Sequence, residues 1–342
     1  MTTSQATRSD HNPLAKIFET FAGTECHGSS PLYEYLARII ARDEDLLAIA
    51  ARGRTPIPNL FFAAVHHLVL SESSSPLAQY YPSAGGTRII DVDLTRTFRE
   101  FCLARRQAIE ALLATRLVQT NEVRRCGYLA PAFCHIARTG RNQPLALIEI
   151  GCSAGLNLLW DHYAYDFGQG RHWGNPQSDL QIKSESRGPL PEMPNTPPEV
   201  ELRIGLDLNP ILPSDAEGIR WLQALIWPEH SERRNLLQKA LTVGARSNLQ
   251  LIACDASLCL HEALERIPAH DTACVFQTHT LNQFSKEAHD RVMQALADFG
   301  RTRPLYFLSR SNDLSLETWT PSGHEKRLLA KTDGHGSWFA WE

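Results

Sequence analysis

Glu149, Gly151, Ser153 and Gly155 stand at alternate positions in the run from Pro144 to Asn157, Pro-Leu-Ala-Leu-Ile-Glu-Ile-Gly-Cys-Ser-Ala-Gly-Leu-Asn. An apolar stretch that ends in an acid, breaks into small residues and then turns amphipathic predicts a strand, a tight turn able to cradle a ligand, and a helix start. Small residues suit such a turn because a Cβ would hold a ligand away from the backbone. The first N–H groups of the following helix are unpaired donors that can face that ligand. The same residues carry a second chemistry. Gly151-Cys152-Ser153-Ala154-Gly155 is Gly-x-Ser-x-Gly, the pattern that exposes a nucleophilic serine on a strand-to-helix turn, with Asp255 and then His279 or His324 in the chain order a triad needs. Against it, no His-Gly-Gly oxyanion sequence precedes the turn, and a helical region stands where several strands should come first.

Three further apolar runs end in polar residues at the spacing of alternating strands and helices. Val200 to Asn209 closes on Asp207 and Leu208, where a doubly wound sheet places a carboxylate for ribose hydroxyls. Leu249 to Ser257 closes on Asp255 and Ala256. Ala273 to Ser285 closes on Gln-Thr-His-Thr-Leu-Asn-Gln, with His279 and Asn282 at the strand end. Each acid by itself also reads as a helix N-cap. Four such ends in succession collect at the carboxyl edge of one open sheet, which is where ligands of α/β proteins bind.

These motifs place residues 142–342 close to a class I S-adenosylmethionine-dependent methyltransferase domain. Glu149, Gly151 and Gly155 fit its acid-x-Gly-x-Gly-x-Gly loop, with Ser153 in the middle glycine's place. The dinucleotide fingerprint would need glycine at 151, 153 and 156, where the chain has Gly151, Ser153 and Leu156. Asp255-Ala256 resembles the element that contacts the adenine amino group. The resemblance implies a Rossmann-like, mostly parallel sheet with an antiparallel last strand inserted beside the fifth. It implies S-adenosylmethionine held by Glu149, Gly151, Cys152, Ser153, Gly155, Asn157, Asp207, Leu208, Asp255 and Ala256. The whole chain also resembles a bacterial family known as a domain of unknown function, through Gln119-Thr120-Asn121-Glu122, the 149–157 loop, Gly205-Leu206-Asp207-Leu208-Asn209-Pro210, Trp221-Leu222 and Trp227-Pro228. Ser153 and a long insertion depart from the methyltransferase pattern.

The preceding region has helical periodicity over Pro31 to Gly53, Pro58 to Leu70, Asp91 to Val118 and Asn121 to Thr139, separated by Gly, Pro and Ser runs. The expected organisation is a frayed tail over 1–12, a helical cap domain over 13–141, and the methyltransferase-like domain over 142–342. Asp91 or Asp93 is expected to cap the third helix, and Thr120 or Asn121 the fourth. Asn121 and Glu122, just ahead of the first strand, can reach cofactor or acceptor. The insertion over 166–199, rich in Gly and Pro, reads as a substrate lid, with Tyr163, Tyr165 and Trp173 placing aromatic rings above the cofactor. His279 has the intrinsic pKa of a general base for a hydroxyl or ammonium acceptor; the alternative is that Asn282 and Gln283 orient the acceptor instead.

Composition bounds the rest. The chain has 342 residues, 43% hydrophobic, and a net charge of −4 with its basic residues dispersed. No stripe argues for nucleic acid, so a small-molecule substrate is expected. No run approaches a membrane span, no leader is evident, and eight cysteines without a Cys-x-x-Cys pair read as reduced core thiols of a cytoplasmic protein; no metal is expected. The alternatives to methyl transfer are an S-adenosylmethionine-binding sensor without catalysis and the Ser153 hydrolase.

Overall fold

The computed structural model describes residues 12–342; apart from Asn12, the tail expected over 1–12 lies outside the described residues. Contacts divide the chain into two compact units. One runs to Thr120 and takes in Ala216–Arg234, and the other comprises Asn121–Asp215 and Asn235–Glu342. The boundary expected at 141/142 therefore stands at 120/121, because the helix Cys126–Thr139 packs with the sheet unit.

The first unit is helical: Pro13–Phe21, Pro31–Ile40, Glu44–Ala50, Ile57–Ser71, Leu94–Ala104, Arg106–Thr115 and Ala216–Ala224. Prolines and side-chain caps set its first starts. Asn12 accepts from the Leu14 amide, Ser30 Oγ from Tyr33, and Asp43 from Asp45 and Leu46. The Asp43 cap also explains why the long helix expected over Pro31 to Gly53 is two. Asp91 and Asp93 are not caps of the expected kind: their carboxylates hold Arg88 at 2.7 and 2.8 Å. The core gathers Phe18, Tyr33, Phe61, Phe62 and Trp221, with the Tyr33 ring stacked 4.2 Å from Phe62. Each such side chain contributes about 1.5–3 kcal/mol by burial. His66 belongs to this core, bonded to Ala224 O and Ser83 Oγ, and desolvation pushes it down to about 3.

The second unit is built on a sheet. Its strands are β1 (Leu145–Ile150), β2 (Ala164–Asp166), β3 (His172–Gly174), β4 (Gln181–Lys183), β5 (Glu185–Ser186), β6 (Val200–Asp207), β7 (Gln250–Ala253), β8 (Thr272–Thr278), β9 (Leu305–Arg310), β10 (Leu314–Thr320), β11 (Gly323–Thr332) and β12 (Trp338–Trp341). Nine of them order as β7-β6-β1-β8-β9-β10-β11-β12-β5. The five from β7 to β9 are parallel, and β9 through β12 form an antiparallel meander. This corrects the expected end of the sheet. β10 pairs directly with β9 in sequence order, so no late strand is inserted beside the fifth.

β1 and β8 are buried along their whole length, which is why each reads as an apolar run that turns polar only toward its ends. Alternation then assigns the faces. Ala273 and Val275 join the core under helices Ala256–Glu265 and Lys286–Gly300, while Phe276 points the other way and meets Phe133 of Cys126–Thr139 at 5.1 Å.

The insertion is folded rather than a free lid. β2, β3 and β4 make a small separate sheet, and β5 joins the edge of the large one beside β12. Tyr163 and Tyr165 are fully buried, their hydroxyls donating to Leu156 O and Trp160 O at 2.8 and 2.5 Å. Trp173 stacks on Trp160 and donates to Pro194 O. These three rings are engaged in holding the insertion together, where an aromatic roof over the cofactor was expected.

Cysteine use also differs from expectation: Cys254 and Cys259 form a disulfide, and the other six are buried free thiols. No helix among the described residues is long and apolar enough to cross a membrane.

Candidate functional site

The site residues collect at the carboxyl edges of β1, β6, β7 and β8. The turn after β1 is tight and almost wholly self-satisfied. Gly151 and Cys152 amides donate to Leu206 O, Ser153 N to Asp207 Oδ2 at 2.8 Å, and Gly155 N to Cys152 O. The amides of Ala154 and Leu156 both donate to Asn121 Oδ1 at 3.2 Å. The expected row of free donors is therefore absent from 151 to 156. No α-helix follows either; Leu156–His162 is a 3₁₀ segment that leads into β2.

The glycines have a reason other than the expected one. Gly151 has φ +73°, and a Cβ there would lie 2.2 Å from Thr280 Oγ1; Gly155 has φ +70° and would meet Leu251 at 2.8 Å. Neighbouring side chains, not a ligand, occupy the space a Cβ would need. Ser153 adopts φ +53° in the position of a glycine, a conformation rare for residues with a side chain. Cys152 is buried against Gly205, so its side chain faces the next strand and not a cofactor.

Glu149 is 1% exposed. Asn157 Nδ2 donates to its Oε1 at 3.0 Å, while Oε2 has no hydrogen-bond partner. Burial pushes this carboxyl up to about 8, with Asn157 and Arg125 opposing the shift. Asn157 also meets Cys126 Sγ at 3.5 Å. Asp207 accepts from Ser153 N and Asn209 N, and Leu208 beside it is 68% exposed. Asp255 caps its helix through Ser257 N, Ala256 is buried, and Leu258 one turn on is 68% exposed. The cap reading of Asp255 thus holds, and the residue is half-buried just beyond the end of β7.

At the end of β8, Gln277 is fully buried and pins the following loop, its Oε1 accepting from Thr280 N at 2.8 Å and its Nε2 donating to Ser309 Oγ at 2.8 Å. His279 sits in this loop at φ +64°. The Arg310 guanidinium lies against its ring, 3.1 Å from Nδ1. Desolvation, then Arg125 and Arg310, push His279 down to about 4, which corrects the expectation of a base poised near neutrality. Asn282 is exposed in a 3₁₀ turn after it.

Asn121 Oδ1 is engaged by the loop amides, and Glu122, 4% exposed, accepts from Arg124 N and pairs with His335 at 3.5 Å. Sequence reasoning missed Tyr128 and Arg310. An arginine closing the apolar run Leu-Tyr-Phe-Leu-Ser-Arg was the signal for the second; Tyr128 is an ordinary helix residue by pattern.

No curated protein and no solved structure matches this chain. Residues 15–341 match the family described as "Uncharacterized protein conserved in bacteria (DUF2332)", and the chain, which carries that match over nearly its full length, belongs to it.

Proposed function

We propose that the chain transfers a methyl group from S-adenosylmethionine to a small-molecule acceptor. The observation that carries this reading is the polarity of the cradle. Three carboxyl groups, Glu149, Asp207 and Asp255, stand at adjoining strand ends, while the loop amides are committed to Leu206, Asp207, Asn121 and Cys152. Acceptors without free donors suit a ligand rich in hydroxyl, amino and cationic groups and repel the pyrophosphate of a dinucleotide. The orphan Glu149 Oε2 is a buried carboxyl oxygen with no hydrogen-bond partner. The strand order from β7 to β9 is also the order of the methyltransferase half-sheet, and Leu208 and Leu258 expose apolar surface on neighbouring edges that a flat base would cover.

When bound, S-adenosylmethionine supplies a methyl group on a sulfonium leaving group. The chain's own work is to hold it: Asp207 toward ribose hydroxyls, Asp255 and Ala256 toward the adenine edge, Glu149 and Asn157 toward the amino-acid end. Ser153, its carbonyl accepting from Ile211 N, fixes the loop to the segment after β6. His279 stays neutral through the physiological range and is a weak base, so the acceptor must arrive able to react.

A binding protein without catalysis is the second reading, favoured by the engagement of His279 with Arg310. The Ser153 hydrolase has less support, because the Ala154 amide that an oxyanion would need is bonded to Asn121.

Parallel calorimetric titration with S-adenosylmethionine, S-adenosylhomocysteine and NAD tests the reading. Both sulfur nucleosides should bind and NAD should not. Asp207→Asn, which keeps one oxygen for the Ser153 amide, should weaken S-adenosylhomocysteine by about 1–3 kcal/mol. Binding of NAD alone, or an unchanged affinity in this variant, overturns the assignment.

A further inference from the structure

Two guanidinium groups, those of Arg125 and Arg310, stand beside the cradle without a counter-ion among the described residues. Arg310, 5% exposed, directs Nε to Thr332 Oγ1 at 3.1 Å, Nη2 to Thr332 O at 3.4 Å and Nη1 to Ser311 O at 3.2 Å and the His279 ring. Arg125 donates to Gly334 O at 3.3 Å and Thr278 Oγ1 at 3.1 Å. Every one of these partners is neutral. The carboxylates that act on Arg310 from a distance, Asp313 and Asp333, are themselves occupied: Asp313 accepts from Thr332 N, and Asp333 from His335 N, Ser337 N and Ser337 Oγ.

Burial and the neighbouring charge of Arg125 both work against Arg310. A buried charge left in this state is costly, and native structures compensate it with a partner or a ligand.

A third donor stands in the same neighbourhood. Tyr128 is fully buried, its hydroxyl has no hydrogen-bond partner, and it lies within electrostatic reach of both Arg125 and Arg310. Two cations and one orphan O–H donor are the complement of a carboxylate, which accepts several charge-assisted hydrogen bonds at once. Arg125 also acts on Glu149, so this seat adjoins the proposed cofactor cradle.

We infer that Arg125, Tyr128 and Arg310 seat the carboxylate of the methyl acceptor, and that the product is its methyl ester. This rests on the methyl-transfer reading above. The step balances without a base: a carboxylate oxygen lone pair forms the new O–CH₃ bond as the S–CH₃ bond breaks, its electrons go to sulfur, and no proton moves. The opposite charges of acceptor and sulfonium cancel in two neutral products. A neutral His279 is then no obstacle, because an acid held between two arginines is already ionised.

The test is thermal melting of the full chain saturated with S-adenosylhomocysteine, against acetate, benzoate, succinate and citrate, with benzamide and inorganic phosphate as controls. At least one carboxylate should raise the melting temperature, because it binds only the folded state, and benzamide should not. Arg125→Gln and Arg310→Gln should each weaken that carboxylate by about tenfold or more. Without carboxylate, Arg310→Gln should melt no lower than the parent, since it removes an unpaired buried charge.

A carboxylate panel without effect on the loaded chain overturns the inference. So does a shift that survives both substitutions, or one produced by phosphate alone. Weaker S-adenosylhomocysteine binding by Arg310→Gln also overturns it, because the seat would then hold the cofactor's own carboxylate. Failure of S-adenosylhomocysteine to bind the parent chain sinks the methyl-transfer reading instead, and the panel on the free chain still decides whether the seat takes a carboxylate.

Discussion

Glu149 is the residue whose state depends most on its surroundings. Its carboxyl is pushed up to about 8 by burial, and one oxygen lacks a partner. A folded pKa above the unfolded value means that the folded chain holds a proton which the unfolded chain has released. Stability is therefore complete below the ordinary carboxylate range and falls as pH rises from there to about 8. Glu149→Gln, neutral at every pH, should remove this decline and raise stability above pH 8 by about 1–3 kcal/mol, as read by urea melts from pH 5 to 9. The same substitution should weaken S-adenosylhomocysteine, because the ligand's ammonium group would ionise Glu149 and pair with a carboxylate that glutamine cannot supply. A variant that gains stability and keeps full affinity would leave Glu149 as a structural strain with no part in binding.

The loop after β1 is the element on which the site depends, and its rigidity is supplied from outside. Asn121 Oδ1 takes two of its amides, so Asn121→Ala leaves two donors of a buried segment without an acceptor. The expected cost is about 1–3 kcal/mol by denaturant titration, and Asn121→Asp should retain most of the stability because an acceptor oxygen remains. Gly151 is held by a different constraint. Its positive φ and the 2.2 Å approach of Thr280 mean that Gly151→Ala should destabilise the apo chain by at least about 1 kcal/mol. Thr280→Gly should restore part of that loss, since it removes the clash and leaves only the backbone strain. No rescue in the double variant would assign the whole cost to the backbone.

At the scale of the molecule, the helix Cys126–Thr139 belongs to the sheet unit and covers the face of β8 that Phe276 presents. Phe133 of this helix meets both Phe276 and Trp160, at 5.1 and 5.0 Å. A chain that begins at residue 142 would expose that face and lose Arg125 and Tyr128 as well. It should show no cooperative melt by far-ultraviolet circular dichroism, because a large apolar surface would be returned to water. A sharp transition in that chain would make the helix an accessory.

The parallel strands were readable in the sequence, because a strand covered on both faces must be an apolar run. Residues 145–148 and 273–276 are such runs. β10 was equally readable as the alternation Leu-Ser-Leu-Glu-Thr-Trp-Thr, yet it escaped the expectation of an inserted last strand. Candidate acids at strand ends were legible for the same local reason, since each closes its own run. What each acid does was not. Whether Asn121 holds a ligand or a loop, whether Gly151 makes room for a cofactor or for Thr280, and whether His279 is a base or the neighbour of Arg310 are contacts between residues distant in the chain. Burial and charge at such contacts set the pKa of Glu149 and of His279, and they exist only once β1, β8 and β9 lie side by side. Periodicity is a property of neighbours along the chain; hydrogen-bond partners and local dielectric are properties of neighbours in space, and only the folded chain decides them.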